Sequence, residues 1–160
     1  MRGAAHLIFH HGYVPHTSPS QGWIKRSVQF WQDFLEDKDG TIHIHLENML
    51  EWDPGLILEV VSSINRPILD INLDIGHTHC NSKTPTVKWI EQLGNHIGYT
   101  HLHDNRGEED EHLGLGQGTI PMRDACLALN ELAPQAIWAI EAEGEGLKQS
   151  LEWLGENGFI

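Results

Sequence analysis

Short apolar stretches alternate with helix-like segments along the whole chain, and this alternation restricts the fold more than any other feature. Each stretch has the length of a strand, and the segment after it carries apolar residues at helical spacing. This order is typical of β/α units that build a parallel sheet. The predicted strands occupy residues 7–10, 41–47, 68–74, 97–103 and 136–141.

The segments between these strands carry the usual signals of helix ends. Asp53-Pro54 and Thr84-Pro85 each place a capping residue before a proline, which fits the start of a helix. Two helices are therefore predicted to begin there, and two others to cover residues 22–37 and 121–131. The final predicted helix uses Leu147, Leu151 and Leu154 as its apolar face.

The length of the chain fits part of a barrel. One β/α unit takes about 30 to 40 residues, and a complete barrel of eight units takes about 250. For 160 residues we predict one α/β domain over residues 1–160, a partial (β/α) TIM barrel with about five units and parallel strands. Because open sheet edges pair readily with other chains, we expect a homo-oligomer in which these edges are covered.

The composition of the chain limits which kinds of partner the protein can bind and where in the cell we expect it. The net charge of -13 repels phosphate backbones and argues against nucleic acid as a partner. No apolar run approaches the roughly 18 to 20 residues that cross a bilayer, and the first residues show no secretory leader. We therefore expect a soluble, cytoplasmic protein without a membrane partner. The 12 histidines suggest metal ligation, although several are expected to be ordinary surface residues.

Strand alternation predicts that one face of the sheet is polar. Residues two apart in a strand point to the same side, and the positions between the polar ones are apolar, as Ile44, Leu46 and Leu73 illustrate. A polar inner face implies a lumen that holds something charged or hydrated. The residues expected to point inward are His43, His45, Glu47, Asp70, Asn72, Asp74, Tyr99 and His101.

Four of the polar residues stand at the carboxyl ends of predicted strands. They are Glu47, Asp74, His101 and Glu141, and barrel active sites are assembled at these ends. Three carboxylates at one mouth repel one another, and a divalent cation relieves that repulsion. We therefore predict a site for one divalent metal ion. Oxygen ligands with one imidazole suit Mn, Mg, Co or Zn without selecting among them.

A second group of polar residues follows the fourth predicted strand. Asp110 and His112 could join His77 at another metal or bind substrate oxygens, with an ordinary glycine-rich turn as the alternative. Arg106 and the loop of residues 114–118 could hold a substrate phosphate through a guanidinium and backbone amides. For this pair, too, an ordinary loop is the alternative.

Several short motifs, taken in order, are more specific than any one of them. They are Phe9-His10-His11-Gly12, Glu47-Asn48, Asp74-Ile75-Gly76-His77, His101-Leu102-His103-Asp104, Asp110-Glu111-His112 before an L-G-x-G sequence, and Ile140-Glu141. Their order and spacing resemble the xylose isomerase-like barrels, which include sugar isomerases and epimerases and endonuclease IV. The resemblance covers nearly the whole chain, from about the third strand of that barrel to the seventh. It implies that the first two strands and the eighth are lacking.

The resemblance implies a metal-dependent sugar or sugar-phosphate isomerase or epimerase. One metal, often manganese or cobalt in that family, would be held by residues at the positions of Glu47, Asp74, His101 and Glu141. The two glutamates would be catalytic, exchanging protons with a carbon beside the carbonyl of a ketose through an enediolate. His77 would contact a substrate oxygen.

Two alternatives remain at this stage. An enzyme similar to endonuclease IV would use three zinc ions to hydrolyse phosphodiesters, and His10, His77, Asp110 and His112 match ligands of that enzyme. The chain lacks the histidine of the second strand that its first zinc needs, and the negative charge disfavours DNA. The other alternative is a remnant of the fold that binds metal without catalysis, because a partial barrel need not form a closed, preorganised site.

Overall fold

Five parallel strands form one curled sheet in the computed structural model, which describes residues 5–38 and 40–160. The spatial order of the strands is their chain order, and helices connect each strand to the next. The predicted partial (β/α) barrel is therefore confirmed. The strands are β1 (His6–His10), β2 (His43–Glu47), β3 (Leu69–Asp74), β4 (Ile97–Leu102) and β5 (Ile137–Ile140).

Helices flank the outer side of this sheet. They are α1 (Ser20–Leu35), α2 (Gly55–Ile64), α3 (Ile75–Cys80), α4 (Thr86–Leu93), α5 (Met122–Leu132) and α6 (Glu145–Glu156), with a 3₁₀ turn at Gly94–His96. The predicted bounds of the strands, of α1 and of α5 agree with these to within two residues. Across the described residues, no helix is long and apolar enough to cross a membrane.

The core lies between the outer face of the sheet and the helices. Leu46, Ile71 and Leu73 are fully buried there, as the alternation along β2 and β3 predicts. The helices meet them with apolar stripes that include Leu35 and Ile57, which are also fully buried. Because helices shield this face, the opposite face alone can carry the polar side chains.

Local differences from the predicted elements have physical causes. The helix after Asp53-Pro54 begins at Gly55, whose N–H donates to Asp53 Oδ1 at 2.9 Å. At α4 no side chain caps the helix, since Pro85 occupies the N-cap position. In α6 only Leu154 of the predicted stripe is buried, while Leu147 and Leu151 are exposed. Among the residues that the structure describes, β5 is the last strand of the sheet, and no further strand follows it for α6 to cover.

The short helix α3 was not predicted and has a direct bearing on the site. It begins straight after β3, because Oδ1 of Asp74 accepts the N–H of His77 at 2.8 Å and caps the first turn. The helix contacts β4 and α4. Asp74 thus both ends a strand and starts a helix, and His77 is held one turn above it.

Candidate metal centre

The four predicted ligands lie at one edge of the sheet. Glu47 and Asp74 end β2 and β3, His101 is the penultimate residue of β4, and Glu141 follows β5 directly. Asp74 and His101 are partners in the parallel register. Because parallel strands end at the same edge, their side chains meet at the mouth of the half-barrel.

His101 lies at the centre of this group. Its Nδ1 is 3.0 Å from Glu141 Oε2, 3.4 Å from Glu47 Oε2 and 3.7 Å from Asp74 Oδ2. The same Nδ1 is buried and forms no well-directed hydrogen bond with any of these oxygens. Buried polar atoms normally form hydrogen bonds. An imidazole nitrogen that is surrounded by carboxylates but forms no well-directed hydrogen bond is typical of ligands whose donor atoms point at a common metal ion.

The ionisable side chains of this site shift one another's pKa values. Burial lowers the pKa of His101, but the Asp74 and Glu47 carboxylates outweigh it and raise the pKa to about 10. Burial raises the pKa of Asp74, yet the nearby imidazoles of His101 and His103 bring it well below its usual range. Glu141 behaves differently, because burial and the negative charges of Asp74 and Glu47 raise its pKa despite the opposing effect of His101. The pKa values of Asp74 and Glu141, two carboxyl groups of one site, are thus shifted in opposite directions.

The residues fit a divalent cation by geometry and by donor type. Donor atoms of Asp74, His101 and Glu141 lie within 4.8 Å of one another, and so do those of Glu47, Asp74 and His77. Imidazole and carboxylate donors are common ligands of zinc, manganese and cobalt, and the arrangement does not choose among these metals. Since a bound cation requires neutral imidazole, binding would displace the proton from His101.

The second predicted group also comes together. Oδ2 of Asp110 lies 3.2 Å from Nε2 of His77 and 3.0 Å from Nε2 of His112. Nδ1 of His77 donates to the carbonyl of Asn48 at 2.8 Å, and Nδ1 of His112 donates to the carbonyl of Glu141 at 2.9 Å. His77 and His112 are therefore oriented by the backbone beside two of the predicted metal ligands.

His10 and Arg106 stand apart from these groups. His10 is exposed and pairs with Glu47 in the sheet register, yet it joins none of the described ligand groups whose donor atoms lie within 4.8 Å. The guanidinium of Arg106 is exposed and forms an ion pair with Glu111, which also accepts the Arg106 backbone N–H at 2.9 Å. A substrate phosphate would have to compete with Glu111 for that guanidinium.

Several residues that support the site were not assigned a role from the sequence. His103 is buried, and its Nε2 lies 3.1 Å from Asp74 Oδ1. Its ring stacks on His112 with centroids 4.2 Å apart. Because His103 follows His101 by two positions, strand alternation could have placed it on the same face.

Two buried asparagines hold the carboxylate ligands in place. Nδ2 of Asn72 donates to Glu47 Oε2 at 3.0 Å. The Asn48 side chain bridges to the backbone of Asp74, accepting its N–H at 2.9 Å and donating to its carbonyl at 3.0 Å. Such contacts orient ligands and strengthen metal binding. The asparagine at 72 lay in the predicted inward set, but only the strand register shows which carboxylate it serves.

The chain is similar to known proteins both in sequence and in structure. It is 29% identical to the uncharacterized protein MJ1311 of Methanocaldococcus jannaschii, over 94% of this chain and 57% of that protein. A solved D-tagatose 3-epimerase-like protein superposes with a TM-score of 0.80 at 28% identity, over 96% of this chain and 62% of that one. A xylose isomerase domain protein from Planctomyces limnophilus gives 0.78 at 24% identity, over 96% and 58%. The chain thus spans somewhat more than half the length of these relatives.

The match to a family model agrees with the fold and with the ordered motifs. A model described as xylose isomerase-like TIM barrel covers residues 1–157, nearly all of the chain. The chain therefore belongs to the xylose isomerase-like TIM barrel family.

Proposed function

We propose that this protein is a divalent-metal-dependent sugar or sugar-phosphate isomerase or epimerase that moves a proton on a carbon beside a carbonyl. The observation that carries the proposal is the position of His101 Nδ1. This atom is buried and lies within 3.7 Å of the carboxylates of Glu47, Asp74 and Glu141 without a well-directed hydrogen bond to any of them. Similarity to a D-tagatose 3-epimerase-like protein supports the reaction class.

The chemistry follows from the groups that meet at this point. A divalent cation bound by Glu47, Asp74, His101 and Glu141 would supply the positive charge that stabilises an enediolate. Burial and the neighbouring carboxylates raise the pKa of Glu141, which favours its role as a proton carrier, and its side chain is 41% exposed, so it can reach a substrate. Glu47 is almost fully buried, with one oxygen fixed by Asn72. These two carboxylates are the proposed proton-transfer pair.

Proton exchange between substrate and solvent tests this role directly. Each of a panel of ketoses and ketose phosphates is incubated with the protein and Mn²⁺, Co²⁺, Mg²⁺ or Zn²⁺ in D₂O, and deuterium beside the carbonyl is followed by NMR. We expect exchange that is lost in Glu141→Gln. The exposed Glu143, two residues away, supplies the control Glu143→Gln, which should keep the wild-type rate. Undiminished exchange in a folded Glu141→Gln protein would remove Glu141 from the mechanism.

A zinc phosphodiesterase related to endonuclease IV is the second candidate. The contacts of Asp110 with His77 and His112, at 3.2 and 3.0 Å, favour it, because they place further metal-ligating groups beside the first set. The net charge of -13 weighs against a DNA substrate. Zinc-dependent cleavage of an oligonucleotide with an abasic site, without deuterium exchange into any ketose, would select this candidate. Metal binding with neither activity would select a non-catalytic protein.

A further inference from the structure

A second cluster of potential ligands lies deeper in the half-barrel, and we call it the lumen cluster. It consists of His43, His45, Asp70 and His6, on the inward faces of β1, β2 and β3. Nε2 of His43 lies 2.8 Å from Asp70 Oδ2, and Nδ1 of His45 contacts Asp70 Oδ1. Nδ1 of His6 lies 2.9 Å from Nε2 of His45.

The donor atoms of this cluster suit a metal ion. One atom each from His43, His45 and Asp70 lies within 4.8 Å of the other two. Two imidazoles and one carboxylate form a set that zinc commonly takes with water in the fourth position. His6 contacts the other ring nitrogen of His45, as an outer partner does when it fixes the orientation of a ligating imidazole.

The backbone beside Asp70 makes room for this arrangement. The register between β3 and β4 shifts just after Asp70: Ile71 pairs with Ile97, whereas the next residue, Asn72, pairs with Tyr99. Gly98 is thus the extra residue of a β-bulge. A Cβ atom on Gly98 would lie 1.7 Å from Asp70 Oδ2, so only glycine lets the carboxylate occupy this position. Bulges that aim a side chain are specific features of a sheet rather than defects.

The lumen cluster is separate from the metal centre at the mouth. His45 pairs with Asp70 in the strand register. Two residues further along each strand, on the same inward face, Glu47 pairs with Asn72. In that next layer Asn72 donates to Glu47. The ring of Tyr99 packs against His45 with centroids 5.0 Å apart. The two ligand sets thus belong to successive layers of the lumen.

We propose that the lumen cluster is a second divalent-cation site, with Nε2 of His43, Nδ1 of His45 and the Asp70 carboxylate as ligands and zinc or cobalt as the preferred class of ion. With the ion bound, His43, His45 and Asp70 would each coordinate the metal, and the direct contacts of the two imidazoles with Asp70 would be lost. It would link β2 to β3 near their amino ends, where barrels carry stabilising rather than catalytic residues. The site does not depend on the proposed enzymatic function.

The test counts ions in the 160-residue protein. Metal-free protein is titrated with Zn²⁺ by calorimetry and with Co²⁺ by visible absorption, and bound metal is measured after gel filtration. We expect Asp70→Asn and His43→Gln each to bind one ion fewer per chain than Asp33→Asn, a control at an exposed aspartate of α1. His101→Gln should lose the ion at the mouth and keep the Co²⁺ spectrum of the lumen site. His101→Gln combined with Asp70→Asn should lose both.

A further variant of the lumen cluster keeps every proposed ligand. Gly98→Ala displaces the Asp70 carboxylate without removing it, and we expect at least a tenfold weaker Zn²⁺ affinity at the lumen site only. His43 is partly exposed, so His43→Gln keeps the test valid if Asp70→Asn fails to fold, as monitored by circular dichroism. Unchanged stoichiometry in the folded His43→Gln protein, together with unchanged Zn²⁺ affinity in the folded Gly98→Ala protein, would overturn the proposal and leave a hydrogen-bonded cluster without metal.

Discussion

Nε2 of His103 lies 3.1 Å from Oδ1 and 3.3 Å from Oδ2 of Asp74, and both side chains are fully buried. The imidazole reaches this position across Gly76, where a Cβ atom would lie 1.9 Å from His103 Cε1. Glycine at position 76 is thus a condition for the contact. Asp74 in turn caps α3 through the N–H of His77, so the contact connects a strand end, a helix start and a predicted metal ligand.

Gly76→Ala should therefore impair the metal centre without removing a ligand. The methyl group displaces His103 from Asp74, and loss of such an outer partner typically weakens metal binding by about 10- to 100-fold. Competition of the protein with a chelator of known affinity measures the change. Gly155→Ala is the matched control, because no other part of the described chain comes within 4 Å of a Cβ at that helical position. Equal affinity of the Gly76→Ala and Gly155→Ala proteins would contradict this account.

His101 should make the stability of the metal-free protein depend on pH. Its pKa is raised from 6.5 to about 10, so the stabilisation by its charged form is complete below about pH 6.5 and is lost as pH rises through about 10. We expect the difference in unfolding free energy between wild type and His101→Gln to shrink over this range. Urea unfolding at pH 6, 8 and 10 measures it, with His96→Gln as the control outside the ligand groups. A difference independent of pH would argue against the raised pKa.

Metal binding at the mouth should release a proton from the same imidazole. Because His101 is protonated at pH 7 in the metal-free protein and must be neutral as a ligand, each ion bound there displaces about one proton from it. Calorimetric titration with Zn²⁺ in two buffers of different ionisation enthalpy gives the number of protons. His101→Gln should release about one proton fewer per chain at saturation than the wild type. Equal total release from the two proteins would place the source elsewhere.

Asp104 anchors the loop that carries Asp110 and His112. Its buried carboxylate accepts the backbone N–H groups of Gly118 at 2.9 Å, of Gly116 at 3.1 Å and of Ile120 at 3.1 Å. Asp104→Ala leaves these donors without an acceptor, and we expect a loss of about 3 kcal/mol or more in unfolding free energy. Chemical denaturation measures it.

A surface variant checks that this loss comes from the buried donors. Asp33→Ala removes an exposed aspartate and should cost about 0.5 kcal/mol or less. If Asp104→Ala changes stability no more than Asp33→Ala does, the carboxylate does not hold the loop. The metal affinity of both variants, measured in parallel, reports whether the loop also supports the site.

Self-association through the open edges of the sheet remains a prediction, and it can be tested at the residues beside these edges. β1 and β5 are the outer strands of the described sheet. Phe9 of β1 is 39% exposed, and Phe30 and Phe34 of α1 are 58% and 37% exposed. A second copy that covers this aromatic patch would bury apolar surface. We expect a dimer or larger assembly by light scattering on a size-exclusion column. Phe30→Ser should shift it toward monomer, whereas Leu127→Ser, at an exposed leucine of α5, should not.

Features that depend on neighbours along the chain were predictable from the sequence. The β/α order follows from the spacing of apolar residues, and the inward set that includes His45, Glu47 and Asp74 follows from the period of two in a strand. The convergence of Glu47, Asp74, His101 and Glu141 then needs only the rule that parallel strands end at one edge. These inferences require no knowledge of which atoms touch.

The tertiary structure alone decided which polar groups face one another. The contact of His103 with Asp74 needs the open space at Gly76, and the lumen cluster needs the bulge at Gly98 that admits the Asp70 carboxylate. Register shifts and close approaches of this kind join residues far apart in the chain. Because their free energy depends on the packing of whole strands against one another, no local pattern in the sequence reports them.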